Sequence, residues 1–237
     1  MNLFIKSLSD FILPPRCPLC SRPIESPDPH SLCSSCLSEV TFIGPPFCIK
    51  CGIPFASQEE ESHLCGQCLA GMNTFGMARA LCTFSGSARA AIHAFKYQNR
   101  TYFAKTLTGL IERSPFPFHI DQYDRLVPVP LHRNRLRHRG YNQCLLLARE
   151  MGHRYRVPVD EKVLKRIRDS APQIELMGAK REENVKGVFS LEGDPEGKTI
   201  LLVDDVLTTG ATVNECTRVL LKGGARKIDV FTVARAV

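Results

Sequence analysis

The stretch ILLVDDVLTTGAT, residues 200–212, runs from four aliphatic residues through two adjacent aspartates into a segment of threonines around one glycine. An uninterrupted aliphatic run is typical of a strand that is buried on both faces, as in a parallel sheet. Beyond the polar segment, apolar spacing predicts a helix over 212–222 that ends at Gly223-Gly224. The stretch therefore predicts a strand, an acidic pair, a loop and a helix, in that order.

The same alternation of strand and helix fills the chain from residue 78 onward. Apolar periodicity predicts helices at 86–97, 101–113 and 140–152, and strands at 124–130, 159–165, 199–203 and 227–234. Strands that alternate with helices predict an α/β fold with a parallel sheet flanked by helices. Ligands bind such sheets beyond the carboxyl ends of the strands, where we expect Asp204 and Asp205 to lie.

The acidic pair and the loop after it favour a ligand that carries both a phosphate and a diol. Backbone N–H groups and hydroxyls ahead of a helix can hold a phosphate. Two carboxylates can bind a sugar diol, directly or through Mg²⁺. A plainer interpretation is an ordinary polar loop with Thr212 as the helix N-cap. That interpretation does not require a second carboxylate, so a ribose 5-phosphate site is favoured.

Eight of the eleven cysteines form four Cys-x-x-Cys pairs within the first 68 residues. The pairs are Cys17/Cys20, Cys33/Cys36, Cys48/Cys51 and Cys65/Cys68. Their spacing predicts two zinc ribbons, each with four thiolates around one structural Zn²⁺. Three alternatives stay open: redox dithiols, pairing of the first knuckle with the third, and His30 or His63 as a ligand. The other three cysteines, Cys82, Cys144 and Cys216, are predicted to be buried structural thiols.

Charge divides the chain at the end of the cysteine-rich part. Residues 1–76 hold four Lys/Arg and seven Asp/Glu, a net of −3, and residues 77–237 hold 27 and 17, a net of +10, which together give +7. We therefore expect an N-terminal module at 1–76 and an α/β domain at 77–237. A basic domain suggests an anionic partner, either a phosphorylated small molecule or nucleic acid.

The N-terminus predicts an amphipathic helix over 3–12 and no signal peptide, because Lys6 and Asp10 interrupt the apolar run. No apolar run approaches the roughly 20 residues of a membrane span. Paired cysteines without an export signal favour metal over disulfides. Together these features predict a cytoplasmic protein without membrane insertion.

The segment 203–212 resembles the phosphoribosyl pyrophosphate (PRPP) signature of type I phosphoribosyltransferases. With the cysteine pairs, residues 3–237 resemble the ComF (competence protein F) family, which fuses a double zinc ribbon to a phosphoribosyltransferase domain. Further matches are HAFKY (93–97), VPVPLHRNRLRHRGYNQ (127–143), Gln173, Arg181 and Asn184. The resemblance implies transfer of phosphoribosyl from PRPP to an unknown acceptor with Mg²⁺ and release of pyrophosphate. It also implies a link to DNA uptake in natural competence, and a homodimer.

The resemblance also implies roles for particular residues. The implied PRPP-binding residues are Asp204, Asp205, Leu207, Thr208, Thr209, Gly210, Ala211 and Thr212. The pyrophosphate side is implied to include Lys96, Pro130, Leu131, His132, Arg133 and Arg139. A lid over 166–189 is implied to contribute Lys180 and Arg181.

One position departs from a familiar pattern. Hypoxanthine-guanine salvage enzymes carry aspartate where this chain has Thr208, and threonine cannot act as a general base near neutral pH. The sequence therefore identifies neither the acceptor nor a catalytic residue. A PRPP sensor without turnover stays open as an alternative. So does a competence factor that contacts single-stranded DNA or competence proteins through the basic run 132–139.

Overall fold

The computed structural model describes residues 15–24, 28, 30–56, 61–169 and 185–237. The helix expected over 3–12 and the lid residues Lys180 and Arg181 lie outside these ranges. The strands are β1 (Ala78–Thr83), β2 (Arg125–Pro128), β3 (Leu164–Arg166), β4 (Phe189–Leu191), β5 (Thr199–Leu207) and β6 (Lys227–Arg235). The helices are α1 (Ser34–Ser38), α2 (Gly66–Leu69), α3 (Gly86–Tyr97), α4 (Phe103–Gly109), α5 (Arg133–Arg139), α6 (Gln143–Tyr155) and α7 (Ala211–Lys222).

Four parallel strands form the central sheet in the order β1-β6-β5-β2, and β3 pairs with β4 in a separate antiparallel ribbon. The two central strands, β5 and β6, are buried along most of their length. Parallel strands covered on both faces need apolar side chains in both directions, which explains the uninterrupted aliphatic run at 200–203. The predicted α/β fold with a flanked parallel sheet is confirmed.

Successive residues of β5 contribute to two different hydrophobic clusters, one on each face of the sheet. Leu201 and Val203 pack with α3, α4 and α6. Ile200 and Leu202 pack with α7 and with cysteines of the N-terminal module. The sheet is thus covered by three helices on one face, and by one helix plus part of the cysteine module on the other.

Strand β5 is longer than the expected 199–203 and contains both aspartates. Its partner β6 is paired with it as far as Leu207, opposite Arg235, and this pairing keeps the chain extended. On the other side, β2 is shorter than the expected 124–130 and is last paired at Pro128, opposite Val203. Prolines at 128 and 130 lack the N–H groups that a longer ladder would need. Asp204 and Asp205 therefore lie inside β5, just beyond the point where β2 ends.

Several other boundaries differ from those expected. The helix expected over 140–152 spans 143–155, because Asn142 caps its first turn and Gly152 lies inside it. The helix expected over 101–113 becomes α4 followed by a 3-10 turn at 110–113. The strand expected over 159–165 is broken, since Asp160 accepts hydrogen bonds from the backbone of 162 and 163. Only a bridge at Val159 and the short β3 remain of it.

Helix α3 matches the predicted range 86–97, and α7 begins one residue before the predicted 212, at Ala211. The N-cap of α7 is Gly210, in the left-handed region at φ 84°, and not Thr212. The basic run 132–139 forms the exposed helix α5, with His132 as its N-cap. No helix in the described ranges is both long and apolar enough to cross a bilayer.

Candidate functional site

The two aspartates sit between α3 and α6. Asp205 lies at 4% exposure and Asp204 is half-buried. One carboxylate oxygen of each aspartate and the Cys144 sulfur all lie within 4.8 Å of one another. Two carboxylates this close repel each other in a buried setting, so the groups around them determine whether both can ionise.

Lys96, near the end of α3, compensates Asp205. Its Nζ lies 2.8 Å from Asp205 Oδ1. Burial alone would lower the pKa of Lys96, but the charge of Asp205, the hydrogen bond to it and the charge of Asp204 together outweigh burial and raise the pKa above its ordinary value. The other oxygen, Asp205 Oδ2, is buried and accepts no hydrogen bond within the described ranges. A buried carboxylate oxygen without a donor is suited to a hydroxyl group or a cation.

Asp204 is in a different electrostatic situation. Its Oδ1 accepts hydrogen bonds from the Cys144 thiol at 3.2 Å and from the Asp205 backbone N–H at 2.9 Å. Burial and the charge of Asp205 raise the pKa of Asp204 to about 6, although Lys96 and these donors oppose the rise. Burial also raises the pKa of Cys144 well above its ordinary value, so this thiol stays protonated and acts as a donor.

Cys144 was predicted only as a buried structural thiol, and its contact with the acidic pair was missed. It is indeed buried. The one signal in the sequence was its place directly after the motif 127–143, which ends where α6 begins. Lys96 and Cys144 reach the aspartates from helices that are distant in sequence, so no local pattern could have joined them.

The Thr-Gly loop, residues 208–210, connects β5 to α7. Thr208 and Thr209 are exposed, whereas Gly210 and Ala211 are buried. Leu207 is the buried last residue of β5. Because α7 begins at 211, the N-terminal end of this helix lies at the end of the loop, and the helix dipole gives it a partial positive charge. The loop and helix can therefore bind an anion beside the acidic pair.

The residues expected on the pyrophosphate side are not all brought together. Pro130 and Leu131 line a cavity of about 540 Å³, to which neither aspartate contributes. His132 is the N-cap of α5, and its Nδ1 lies 3.3 Å from a carboxylate oxygen of Asp169.

The two arginines of this group differ in their surroundings. Arg139 lies over the ring of Tyr97 and bonds to Gln143, which places it next to the end of α3 that carries Lys96. Arg133 is exposed at the start of α5. Of the expected group, only Lys96 contacts the acidic pair directly in the described ranges.

The eight paired cysteines form two separate groups. The first tetrad is Cys17, Cys20, Cys33 and Cys36, and the second tetrad is Cys48, Cys51, Cys65 and Cys68. This grouping is the consecutive pairing of knuckles, and neither His30 nor His63 belongs to it. His63 instead stacks on Phe55 with ring centroids 4.2 Å apart.

Each tetrad fits one zinc ion. The sulfur atoms lie within 4.8 Å of one another, with 3.5 Å between Cys20 and Cys33 and 3.7 Å between Cys51 and Cys65. Four sulfurs at about 2.3 Å from a tetrahedral ion are about 3.8 Å apart. All four positions would be filled by thiolates, so such a site is closed and structural.

Backbone donors lower the pKa of one thiol in each tetrad, whereas burial raises the pKa values of Cys36, Cys51 and Cys68. Burial opposes ionisation of Cys48, but N–H groups of Cys51 and Cys65 donate to its sulfur at 3.4 and 3.3 Å and bring its pKa down to about 6. Cys17 is affected in the same way, with a pKa of about 7. The thiolate is the form that binds metal, so these donors favour zinc binding near neutral pH.

Comparison with known proteins bears on both parts of the chain. The double zinc ribbon domain family matches residues 8–69, and the phosphoribosyl transferase domain family matches residues 143–236. Among solved structures, purine phosphoribosyltransferase from Pyrococcus horikoshii covers 55% of this chain and 80% of its own at 18% identity. Its TM-score of 0.34 is too low to add to the fold assignment.

Curated relatives align along nearly the whole chain. DNA utilization protein YhgH of Escherichia coli K12 is 30% identical over 230 residues, which is 95% of this chain and 99% of the relative. Competence protein F of Haemophilus influenzae is 29% identical over 214 residues, covering 87% and 91%. Competence protein ComFC of Streptococcus pneumoniae is 27% identical over 210 residues, covering 88% and 89%. With a double zinc ribbon ahead of a phosphoribosyl transferase domain, this chain belongs to the competence protein F (ComF) family.

Proposed function

We propose that the chain binds PRPP with Mg²⁺ at the acidic pair and the Thr-Gly loop, and transfers the phosphoribosyl group to an acceptor with release of pyrophosphate. The observation that carries this proposal is the buried, unpartnered Oδ2 of Asp205 beside a glycine-turned loop at a helix N-terminus. A carboxylate oxygen without a donor suits a hydroxyl or a hydrated cation, and the loop suits a phosphate. A ribose 5-phosphate carries both kinds of group.

In this proposal the aspartates bind the ribose hydroxyls, and the loop with the first turn of α7 binds the 5-phosphate. Lys96 pairs with Asp205, and the Cys144 thiol orients Asp204 by donating a hydrogen bond to it. Bound PRPP would supply both the phosphoribosyl group that is transferred and the pyrophosphate that leaves. Arg139 is the basic residue of α5 best situated to meet pyrophosphate, since it lies beside Tyr97 at the end of α3.

The acceptor is not a substrate that needs a carboxylate base at position 208. Thr208 is exposed on the loop and has no acidic group of its own. The acceptor must therefore be nucleophilic without help from that position, as an amine is, or be deprotonated by another group. A sensor that binds PRPP without turnover is the alternative within the same site.

The proposal is tested first by binding. Mg²⁺-PRPP should raise the Tm of the native protein, and Asp204→Asn should abolish the rise. Asp121→Asn, which neutralises an exposed carboxylate in a 3-10 turn remote from the site, should keep it. If Mg²⁺-PRPP does not raise the Tm of the native protein, both the transfer proposal and the sensor alternative are wrong. If PRPP binds, pyrophosphate release against a panel of nucleobases and amines separates an enzyme, which releases it, from a sensor, which does not.

Contact with single-stranded DNA is a second candidate function, favoured by α5. None of the residues of this helix is buried, and Arg133 and Arg137 are exposed on it. The double variant Arg133→Glu/Arg137→Glu should weaken binding to an oligonucleotide and lessen its salt slope by about 1.4, at roughly 0.7 per phosphate contact. Arg113→Glu/Lys222→Glu makes the same charge change elsewhere and should leave the slope as it was. Equal slopes in both variants would exclude α5 as the contact.

A further inference from the structure

The segment between the second tetrad and β1, residues 70–76, connects a cysteine of the tetrad to the Thr-Gly loop. The side-chain amide of Asn73 donates a hydrogen bond to the Cys68 sulfur at 3.2 Å. Its oxygen accepts one from the side-chain amide of Asn214, in the first turn of α7, at 3.1 Å. The backbone N–H of Asn214 in turn donates to the Gly210 carbonyl at 2.8 Å. Three hydrogen bonds thus link a zinc-ligand sulfur to the glycine that turns the phosphate loop.

Asn214 is held in this position by further contacts with the same segment. Its Oδ1 accepts from the Thr74 backbone N–H at 2.9 Å, and its carbonyl accepts from the Thr74 hydroxyl at 3.0 Å. Both asparagine side chains also lie close to the loop glycine. A Cβ placed on Gly210 would be in ordinary van der Waals contact with them, 3.6 Å from Asn214 Nδ2 and 3.6 Å from Asn73 Oδ1.

A second connection runs through the end of the sheet. Arg235, the last residue of β6, donates to the Cys51 carbonyl at 2.8 Å and reaches the Cys51 sulfur at 3.7 Å. It is 5% exposed and lies opposite Leu207, the strand residue that precedes the loop. The second tetrad is thus linked to both ends of the Thr-Gly loop, through Arg235, which is paired with Leu207, and through Asn73, which contacts Asn214.

Among the described residues, the first tetrad has no comparable link to the Thr-Gly loop. Hydrogen bonds near it run instead to α3 and to the segment before α4: the Ser87 hydroxyl donates to Glu39 at 2.7 Å, and the Tyr102 hydroxyl donates to the Pro18 carbonyl at 3.4 Å. Ser87 lies at the start of α3 and Tyr102 just before α4. The first tetrad therefore serves as an internal control for effects that depend on the loop.

We propose that Asn73 and Asn214 are positioning residues that couple zinc at the second tetrad to ligand binding at the Thr-Gly loop. The inference rests on the proposed function in so far as the ligand is PRPP. A thiolate with zinc attached fixes the Asn73 amide, Asn73 fixes Asn214, and Asn214 fixes the carbonyl of Gly210. Because coupling between two sites is reciprocal, a ligand that orders the loop must also strengthen zinc retention at the second tetrad.

The test is the rate of zinc release to an excess of a colorimetric chelator. The native protein should release two zinc ions, and Cys20→Ser, which removes a ligand of the first tetrad, identifies the phase that belongs to the second. Saturating Mg²⁺-PRPP should slow the second-tetrad phase about fivefold or more and leave the first unchanged. Asn214→Ala should abolish the slowing. Ser87→Ala, which cuts a contact near the first tetrad, should preserve it.

A ligand-free measurement keeps this inference separate from the proposed function. Without PRPP, Asn214→Ala should already release the second-tetrad zinc several-fold faster, because Asn73 loses its support. Asn214→Asp should do the same, since it retains the oxygen that Thr74 uses but cannot donate to Asn73. Release rates equal to those of the native protein in both variants would overturn the link, whether or not PRPP binds. Slowing of both phases alike by PRPP would overturn it as well.

If PRPP produces no thermal shift in the native protein, the proposed function fails on that result alone. The ligand-free rates then still decide whether the two asparagines hold the second tetrad. If PRPP binds and Asn214→Ala keeps the native affinity and the native zinc release, the asparagines are ordinary structural residues. An intact affinity in Ser87→Ala with a weakened affinity in Asn214→Ala supports the positioning role.

Discussion

At the scale of single residues, the charges of the two neighbouring aspartates of β5 affect the stability of the fold in opposite directions. Asp205 is neutralised by the Lys96 ammonium at 2.8 Å, whereas Asp204 has hydrogen-bond donors but no cation within a salt-bridge distance among the described residues. The pKa of Asp204 is accordingly raised to about 6 by burial and by the charge of Asp205. A charge that is unfavourable in the free protein is expected at a site that awaits a ligand.

Neutralising each aspartate should therefore change stability in opposite directions. Asp204→Asn keeps an oxygen that can accept from Cys144 and should raise the free energy of unfolding at pH 7.5 by about 1 kcal/mol. Asp205→Asn leaves the mostly buried Lys96 ammonium without its partner and should lower it by about 2 kcal/mol. Both should abolish stabilisation by Mg²⁺-PRPP. Urea unfolding measures the two changes, and a loss of stability in both variants would contradict this account.

The pH dependence follows from the sign of the shift. The folded protein binds a proton at Asp204 up to about pH 6, and the unfolded chain only to about pH 4. Stability from this group is therefore lost as pH rises from about 4 to about 6, and the loss is complete above that range. The urea midpoint of the native protein, minus that of Asp204→Asn at the same pH, should decline over this range. A flat difference would mean that Asp204 is ionised throughout.

At the scale of secondary-structure elements, the sequence predicted the type and order of most elements but not the points at which they end. Helix α3 could be predicted because its apolar spacing and both of its ends are local features. The length of β5 could not be predicted, because it is determined by pairing with β6, which lies more than 20 residues further along the chain. The break after Val159 depends on the side chain of Asp160 and could have been inferred from a turn preference.

Helix α6 shows the same limit at Gly152, where the helix was expected to end. The glycine lies inside α6, and a Cβ there would be 2.7 Å from a methyl of Val159 and 2.8 Å from the Val157 carbonyl oxygen. It is thus required for close packing of α6 on the chain that returns beside β2. Tertiary contact outweighs the usual role of glycine as a helix terminator.

A pair of glycine variants tests this explanation. Gly152→Ala should lower the free energy of unfolding by about 1–3 kcal/mol, because a backbone carbonyl cannot move aside easily. Gly109→Ala, in α4, has no atom within 4 Å of its new Cβ and should raise the free energy by about 0.5–1 kcal/mol. Urea midpoints at constant m-value measure both. Equal effects in the two helices would show that packing at Gly152 is loose.

At the scale of the whole molecule, the two tetrads relate differently to the sheet. Cys48, Cys51 and Cys68 belong to the hydrophobic cluster that α7 forms on one face of the sheet. Buried cysteines of the first tetrad form a small cluster of their own with Ile24. The second ribbon is therefore part of the domain core, although the division at 76/77 into two units remains a prediction from composition. Loss of zinc should have unequal consequences at the two places.

We expect Cys51→Ser to destabilise the main unfolding transition far more than Cys20→Ser. Each variant removes one thiolate and should reduce bound zinc from about two ions per chain to about one. Cys51 is buried and its sulfur lies 3.7 Å from the Arg235 guanidinium, so loss of this thiolate and its zinc disturbs a buried charged group as well as opening the core. Cys20 is exposed.

The Tm of the sheet, followed by far-UV circular dichroism, should fall at least about 5 °C further for Cys51→Ser, since each kcal/mol corresponds to roughly 2–4 °C at this size. Equal falls in Tm, with equal zinc loss, would mean that the two ribbons support the sheet to the same degree.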